Sequence, residues 1–184
     1  QKIRSGDKIL LFGKRSYIVV AGKDEFHCQY GKIDLKRLIN KNYGTKIKAH
    51  LGEEFIALKP NIADLMRKAR RGPQVVLAKD AAQIIAVTGV GKDSIVIDAG
   101  SGSGFLAIFL ANAVKKVFTY ESRKEFFEIA KQNIEFAGAK NIEIRNRDVS
   151  KGFFQKDADL VTLDMEEPDK AIRHAHKSLK PGGW

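Results

Sequence analysis

The segment Asp98-Ala-Gly-Ser-Gly-Ser-Gly104 constrains this chain more than any other. It follows Asp93-Ser-Ile-Val-Ile-Asp98, a run with the length and β-branched content of a buried strand. It opens an apolar stretch, Gly104 to Val114, expected to be a helix. A strand, a glycine turn and a helix in that order aim the first N–H groups of the helix back at the turn. Glycines there let the backbone approach a ligand closely. The rhythm continues downstream. Lys116–Glu121 reads as strand two, and a helix capped by Ser122, with Glu125 in the capping-box position, ends at Gly138. Asn141–Asn146 and Ala158–Asp164 read as strands three and four. Pro168–Leu179 is a helix stopped by Lys180-Pro-Gly-Gly183, and Asp80–Thr88 is an earlier helix stopped by Gly89. Alternating strands and helices imply an α/β domain with a parallel sheet and right-handed crossovers.

Glycine spacing selects the ligand. A dinucleotide loop wants Gly-x-Gly-x-x-Gly, and counting from Gly100 the third glycine falls at Phe105. An acid, Asp98, stands before the loop, where it can meet a methionine amino group and would repel a pyrophosphate. Acid first, then alternate glycines, is the pattern of the Rossmann-like class I S-adenosylmethionine methyltransferases. The other strand ends agree. Glu121 closes strand two, where an acid can accept both ribose hydroxyls. Arg147 and Asp148 follow strand three, with Asp148 placed to accept from an adenine amine. Asp164 closes strand four. Ligands of such sheets bind outside the carboxyl ends of the strands. The expected S-adenosylmethionine site is therefore Asp98, Gly100, Ser101, Gly102, Ser103, Gly104, Phe105, Glu121, Phe126, Arg147, Asp148 and Asp164.

The first sixty residues have another character. Lys8–Phe12 and Tyr17–Val20 read as a hairpin, Glu25–Tyr30 as a strand, and Lys46–His50 with Glu54–Leu58 as a second pair. These predict a small β domain, barrel-like, over 1–60. Residues 61–73 are expected to be a basic helical linker with Asn61 as N-cap, and 74–184 the methyltransferase domain. The sequence runs to Trp184, where a fifth strand is expected, so the sheet is expected to lack its C-terminal strands.

Charge is uneven: residues 1–73 hold 17 Lys/Arg against 7 Asp/Glu, and the remainder 16 against 15. A basic module beside a near-neutral one suggests a polyanion-binding part joined to a catalytic part, with RNA as the substrate. The densest cationic run, Arg67, Lys68, Arg70 and Arg71, is the expected RNA contact. The 43% hydrophobic residues suffice for a core, and no apolar stretch is long enough to span a bilayer. A single cysteine, Cys28, and a start without an apolar leader favour a reducing cytoplasm. No metal site is expected: His174 and His176 face apart on a helix, and His27 with Cys28 lacks a second ligand pair.

Over most of its length the chain resembles the tRNA (adenine-N1) methyltransferases that act on T-loop adenines. The likeness rests on the small β module, Arg71-Gly-Pro-Gln74, Ala78-Lys-Asp-Ala81, the Asp98–Gly104 loop, Tyr120-Glu121 and Asp164-Met-Glu-Glu-Pro168. Two positions depart from that pattern: Asp169 stands where an aromatic residue is frequent, and Leu77 where Tyr or His is. The resemblance implies a tRNA substrate, a homotetramer, and Asp164 beside the reacting adenine. The alternatives are a methyltransferase of a small molecule or protein, of precorrin or isoaspartyl type, and a non-catalytic RNA-binding subunit. A nicotinamide oxidoreductase ranks last on glycine spacing.

Overall fold

The computed structural model describes residues 1–72 and 75–184. Pro73 and Gln74, part of the Arg71–Gln74 motif, lie outside the described residues. The chain divides into two compact units, Gln1–Lys68 and Ala69–Trp184.

In the first unit, β1 (Lys8–Phe12), β2 (Tyr17–Val20), β5 (Lys46–Lys48) and β6 (Glu54–Leu58) form an antiparallel sheet of order β2-β1-β6-β5. A separate hairpin joins β3 (Glu25–Cys28) to β4 (Gly31–Asp34). Alternation buries Ile9, Leu11, Phe55 and Ala57, and these meet Ile33 of β4 and Leu35 and Leu38 of a 3-10 turn, Leu35–Leu38, in one core. Strand β4 escapes the sequence pattern because a single apolar residue, Ile33, carries its inward face. Helix α1 (Ile62–Lys68) starts as expected. The Asp64 N–H donates to Asn61 Oδ1 at 2.9 Å, and the Asn61 N–H donates to Asp64 Oδ2 at 3.1 Å. It stops at Lys68, short of the end of the expected helical linker over 61–73.

In the second unit, β7 (Ile95–Ala99), β8 (Lys116–Glu121), β9 (Ile142–Asn146) and β10 (Leu160–Leu163) form an all-parallel sheet of order β10-β7-β8-β9. From β7 the chain winds outward through β8 to β9, then returns to the other side of β7. The carboxyl end of β7 is therefore the switch point where such sheets bind ligands. Both faces are covered. Val96, Val117 and Leu160 pack with α2 (Ala78–Thr88) and α3 (Phe105–Ala111), while Ile97, Ala99 and Tyr120 pack with Ala171 of α5 (Asp169–Ser178).

Two expectations are corrected here. Helix α3 ends at Ala111 rather than Val114, where the chain tightens: the N–H groups of Asn112 and Ala113 donate three residues back, to Phe109 O and Leu110 O. Helix α4 (Lys124–Ala137) has no Ser122 capping box: Arg123 is its N-cap residue and makes no side-chain cap bond. Glu121 Oε1 accepts from the Arg123 N–H instead, at 2.9 Å. Gly89 and Gly138 end α2 and α4 in the left-handed conformation, as expected. At the far edge, Trp184 runs beside β10: its N–H donates to Asp159 O, and its carbonyl accepts from the Val161 N–H. Among the described residues no helix is long and apolar enough to cross a membrane, and no His/Cys/Asp/Glu group could hold a metal ion.

Candidate active site

The site is built at the carboxyl edge of the sheet in the second unit. After β7 the backbone turns at Gly100, whose φ is +87°. The N–H groups of Gly100 and Ser101 both donate to Tyr120 O, at 3.0 and 2.9 Å, clamping the loop to the end of β8. A Cβ at Gly100 would lie 1.9 Å from the carbonyl oxygen of Asp164, so only glycine lets the loop pass the end of β10. The Gly102 N–H donates to Glu121 Oε2 at 2.9 Å, and the Gly104 N–H closes the turn on Ser101 O at 2.6 Å.

Four carboxylates, those of Asp98, Glu121, Asp148 and Asp164, gather at this edge. Asp98 is 1% exposed, with Oδ2 accepting from Thr119 at 2.6 Å and Oδ1 from Thr162 at 2.7 Å. Because Thr119 donates to Asp98, the Ser101 hydroxyl is left to donate to Thr119, giving a three-member chain of hydrogen bonds. Burial pushes the Asp98 carboxyl above its ordinary value. The two threonine bonds oppose that rise, and the negative charges of Asp164 and Glu121 add to it. Glu121 is 3% exposed and holds both Gly102 and Arg123. Asp148 caps a 3-10 turn (Val149–Lys151), accepting from the Ser150 N–H at 2.9 Å; the Ser150 hydroxyl first, and that N–H second, hold its carboxyl below the usual range.

A cavity of about 750 Å³ opens over this edge. Of the expected cofactor residues, Gly100, Glu121, Arg147, Asp148 and Asp164 line it. Asp98 and Ser101 are buried instead, as supports, and Gly102 to Phe105 form the turn and the helix start. Phe126 is not in the lining; its ring sits 4.1 Å from the Arg123 guanidinium carbon. Arg123, Ser122, Met165, Glu166, Glu167 and Lys170 line the cavity without having been expected. Ser122 and Arg123 follow Glu121, and Met165, Glu166 and Glu167 lie in the Asp164–Pro168 motif, while Lys170 carries no such signal. Lys170 pairs with Glu167 at 2.6 Å, and that bond raises its pKa. Of the expected RNA contacts, Arg67 and Lys68 close the first unit and Arg70 and Arg71 open the second. Arg67 lies 3.8 Å from Asp64, and the Arg70 guanidinium donates to Gln132 Oε1 at 2.6 Å.

The lining fits S-adenosylmethionine. Five carboxylates, those of Glu121, Asp148, Asp164, Glu166 and Glu167, outnumber Arg123, Arg147 and Lys170. Such a lining favours a cationic ligand over a pyrophosphate. The cradle at Gly100 is one that any Cβ would fill.

A parallel sheet with a glycine loop after β7 and a buried acid closing β8 defines the class I S-adenosylmethionine-dependent methyltransferase fold. A solved S-adenosylmethionine-dependent O-methyltransferase of Thermotoga maritima has it, with a TM-score of 0.86 and 34% identity over 99% of this chain and 71% of that one. The chain belongs to the GCD14 family: the family model described as the tRNA methyltransferase complex GCD14 subunit matches residues 56–183. It is 30% identical to the tRNA (adenine(57)-N(1)/adenine(58)-N(1))-methyltransferase TrmI of Methanocaldococcus jannaschii, over 91% of this chain and 68% of that protein. It is 29% identical to the tRNA (adenine(58)-N(1))-methyltransferase TrmI of Thermus thermophilus, over 98% and 70%.

Proposed function

We propose that this chain methylates N1 of a T-loop adenine in tRNA, using S-adenosylmethionine. The observation that carries the proposal is the position of Asp164. It lines the cavity at the end of β10, with its carbonyl against the glycine loop, inside the Asp164–Pro168 segment on which the resemblance to the adenine-N1 enzymes rests. S-Adenosylmethionine supplies the electrophilic methyl group. Glu121 would accept from its ribose hydroxyls and Asp148 from its adenine amine, while Gly100 gives the backbone close approach. Asp98, being buried, acts through the loop it braces.

Adenine N1 has an in-plane lone pair, so it reacts without first losing a proton. Methylation leaves the ring cationic. An Asp164 carboxylate accepting from the exocyclic amine would orient the base and offset that growing charge. The base must leave the folded T-loop to reach the cavity. Arg67, Lys68, Arg70 and Arg71 would hold RNA, together with the basic first unit. A homotetramer follows from the same kinship, and a tRNA substrate accords with the cytoplasmic setting expected from Cys28.

The test is transfer of labelled methyl groups to unmodified tRNA, followed by nucleoside analysis. Asp164→Asn keeps the shape and loses the charge. Its single-turnover rate at saturating cofactor and tRNA should fall roughly 10²-fold, about 3 kcal/mol. An unchanged rate there removes Asp164 from the mechanism.

A further inference from the structure

The first unit carries a groove of its own, lined by Arg37, Lys41, Thr45, Lys46, Lys48 and Glu54 among others. Local folding sets its charge. On edge strand β5, alternation sends Ile47 into the core and leaves Lys46 and Lys48 exposed. Leu38 pins the 3-10 turn by its buried side chain, so Arg37 points outward. Lys41 follows a turn in which Asn40 takes a positive φ of 63°. Glu54 neutralises one cation, Lys46, at 2.7 Å. Among the described residues, Arg37, Lys41 and Lys48 have no carboxylate partner within ion-pair distance.

We propose that this groove docks the phosphodiester backbone of the tRNA substrate, an inference that rests on the tRNA methyltransferase reading. Three unpaired cations and a fourth shared with Glu54 match a row of phosphates in sign. No aromatic side chain lines the groove, so it offers no surface on which a base could stack. Its contacts therefore fix position and leave sequence unread. The dense cationic cluster of Arg67, Lys68, Arg70 and Arg71 adds contacts of its own, but is the weaker of the two. It is divided between the two units, and Arg67 and Arg70 already have protein partners.

The test uses the full chain and two triple variants of equal charge change. One is Arg37→Gln, Lys41→Gln, Lys48→Gln; the other, outside the groove, is Lys2→Gln, Arg15→Gln, Lys23→Gln. Binding of unmodified tRNA is measured across a salt series. Losing three phosphate contacts should lower the salt slope by about 2 to 3 and weaken binding at least roughly tenfold at low salt. The outer triple should shift the slope by less than about 1. S-Adenosylmethionine affinity should be unchanged in both, and so should the single-turnover rate at saturating tRNA. Equal slopes for the two triples overturn the groove, as does groove-dependent binding to anionic vesicles with tRNA binding intact. Failure of the wild-type chain to methylate adenine N1 counts instead against the function reading, which the slope comparison does not address.

Discussion

Gly100 and Asp98 carry opposite lessons about single residues. At Gly100 the constraint is steric: a Cβ would lie 1.9 Å from the Asp164 carbonyl oxygen, and φ is already +87°. Neither neighbour is a flexible side-chain tip that could swing away. Gly100→Ala should cost roughly 3 kcal/mol or more, read from urea unfolding of the second unit. A loss below about 1 kcal/mol would mean that the loop does not pass β10 as described. At Asp98 the constraint is electrostatic. Its native pKa is raised, so the folded protein holds the proton more tightly than the unfolded chain does. The charged carboxylate therefore opposes folding at neutral pH, and that opposition fades as pH falls towards the ordinary carboxylate value. Asp98→Asn should stabilise the ligand-free protein near pH 7 by on the order of 1 kcal/mol. The gain should shrink in acid. Cofactor affinity should drop by roughly tenfold, about 1.4 kcal/mol, on calorimetry. A variant that melts lower at pH 7 than the parent would contradict the burial argument.

Among the elements, the glycine loop is held from behind as well as from the sheet. Asn133 of α4 is 2% exposed and spans two segments. Its Nδ2 donates to Arg70 O and to Ser103 O, both at 2.8 Å, and its Oδ1 accepts from the Arg70 N–H at 2.9 Å. Ser103 Oγ accepts from the Gly72 N–H at 2.8 Å, so residues 70–72 are stitched along the loop. Asn133→Ala removes the partner of one buried backbone carbonyl, Ser103 O, and of two part-buried groups of Arg70, and should cost roughly 1–3 kcal/mol. Gln132→Ala, which removes only an exposed bond to Arg70, should cost under about 0.5 kcal/mol. Equal unfolding midpoints for the two variants would remove this stitch from the account. None of it is legible in the sequence, where Asn133 is one polar residue in an amphipathic helix. The strands and the acids at their ends are legible, because period and spacing are local properties. What local pattern leaves open is which group satisfies which donor. Ser122 has the side chain of a cap, yet Glu121 reaches the Arg123 N–H instead. Asp98 stands in the motif of a ligand contact, yet it is sealed under two threonines. Both outcomes depend on neighbouring strands brought together by the parallel sheet.

At the scale of the molecule, chemistry and charge are apportioned between two units. The carboxylate-lined cavity belongs to the second, and the cationic groove belongs to the first. The charge bias towards residues 1–73 was visible in composition; the gathering of Arg37, Lys41, Lys46 and Lys48 was not, because a 3-10 turn and an edge strand bring them together. The strand of backbone bonds that lays Trp184 beside β10 has an optical consequence. Trp184 is the only tryptophan in the chain, and three of the four tyrosines, Tyr17, Tyr30 and Tyr43, lie in the first unit. Indole emission excited at the red edge of the absorption band therefore originates in the second unit alone. The chain carries its own fluorophore at the rim of its catalytic sheet, and the second unit can be followed by colour with no dye attached.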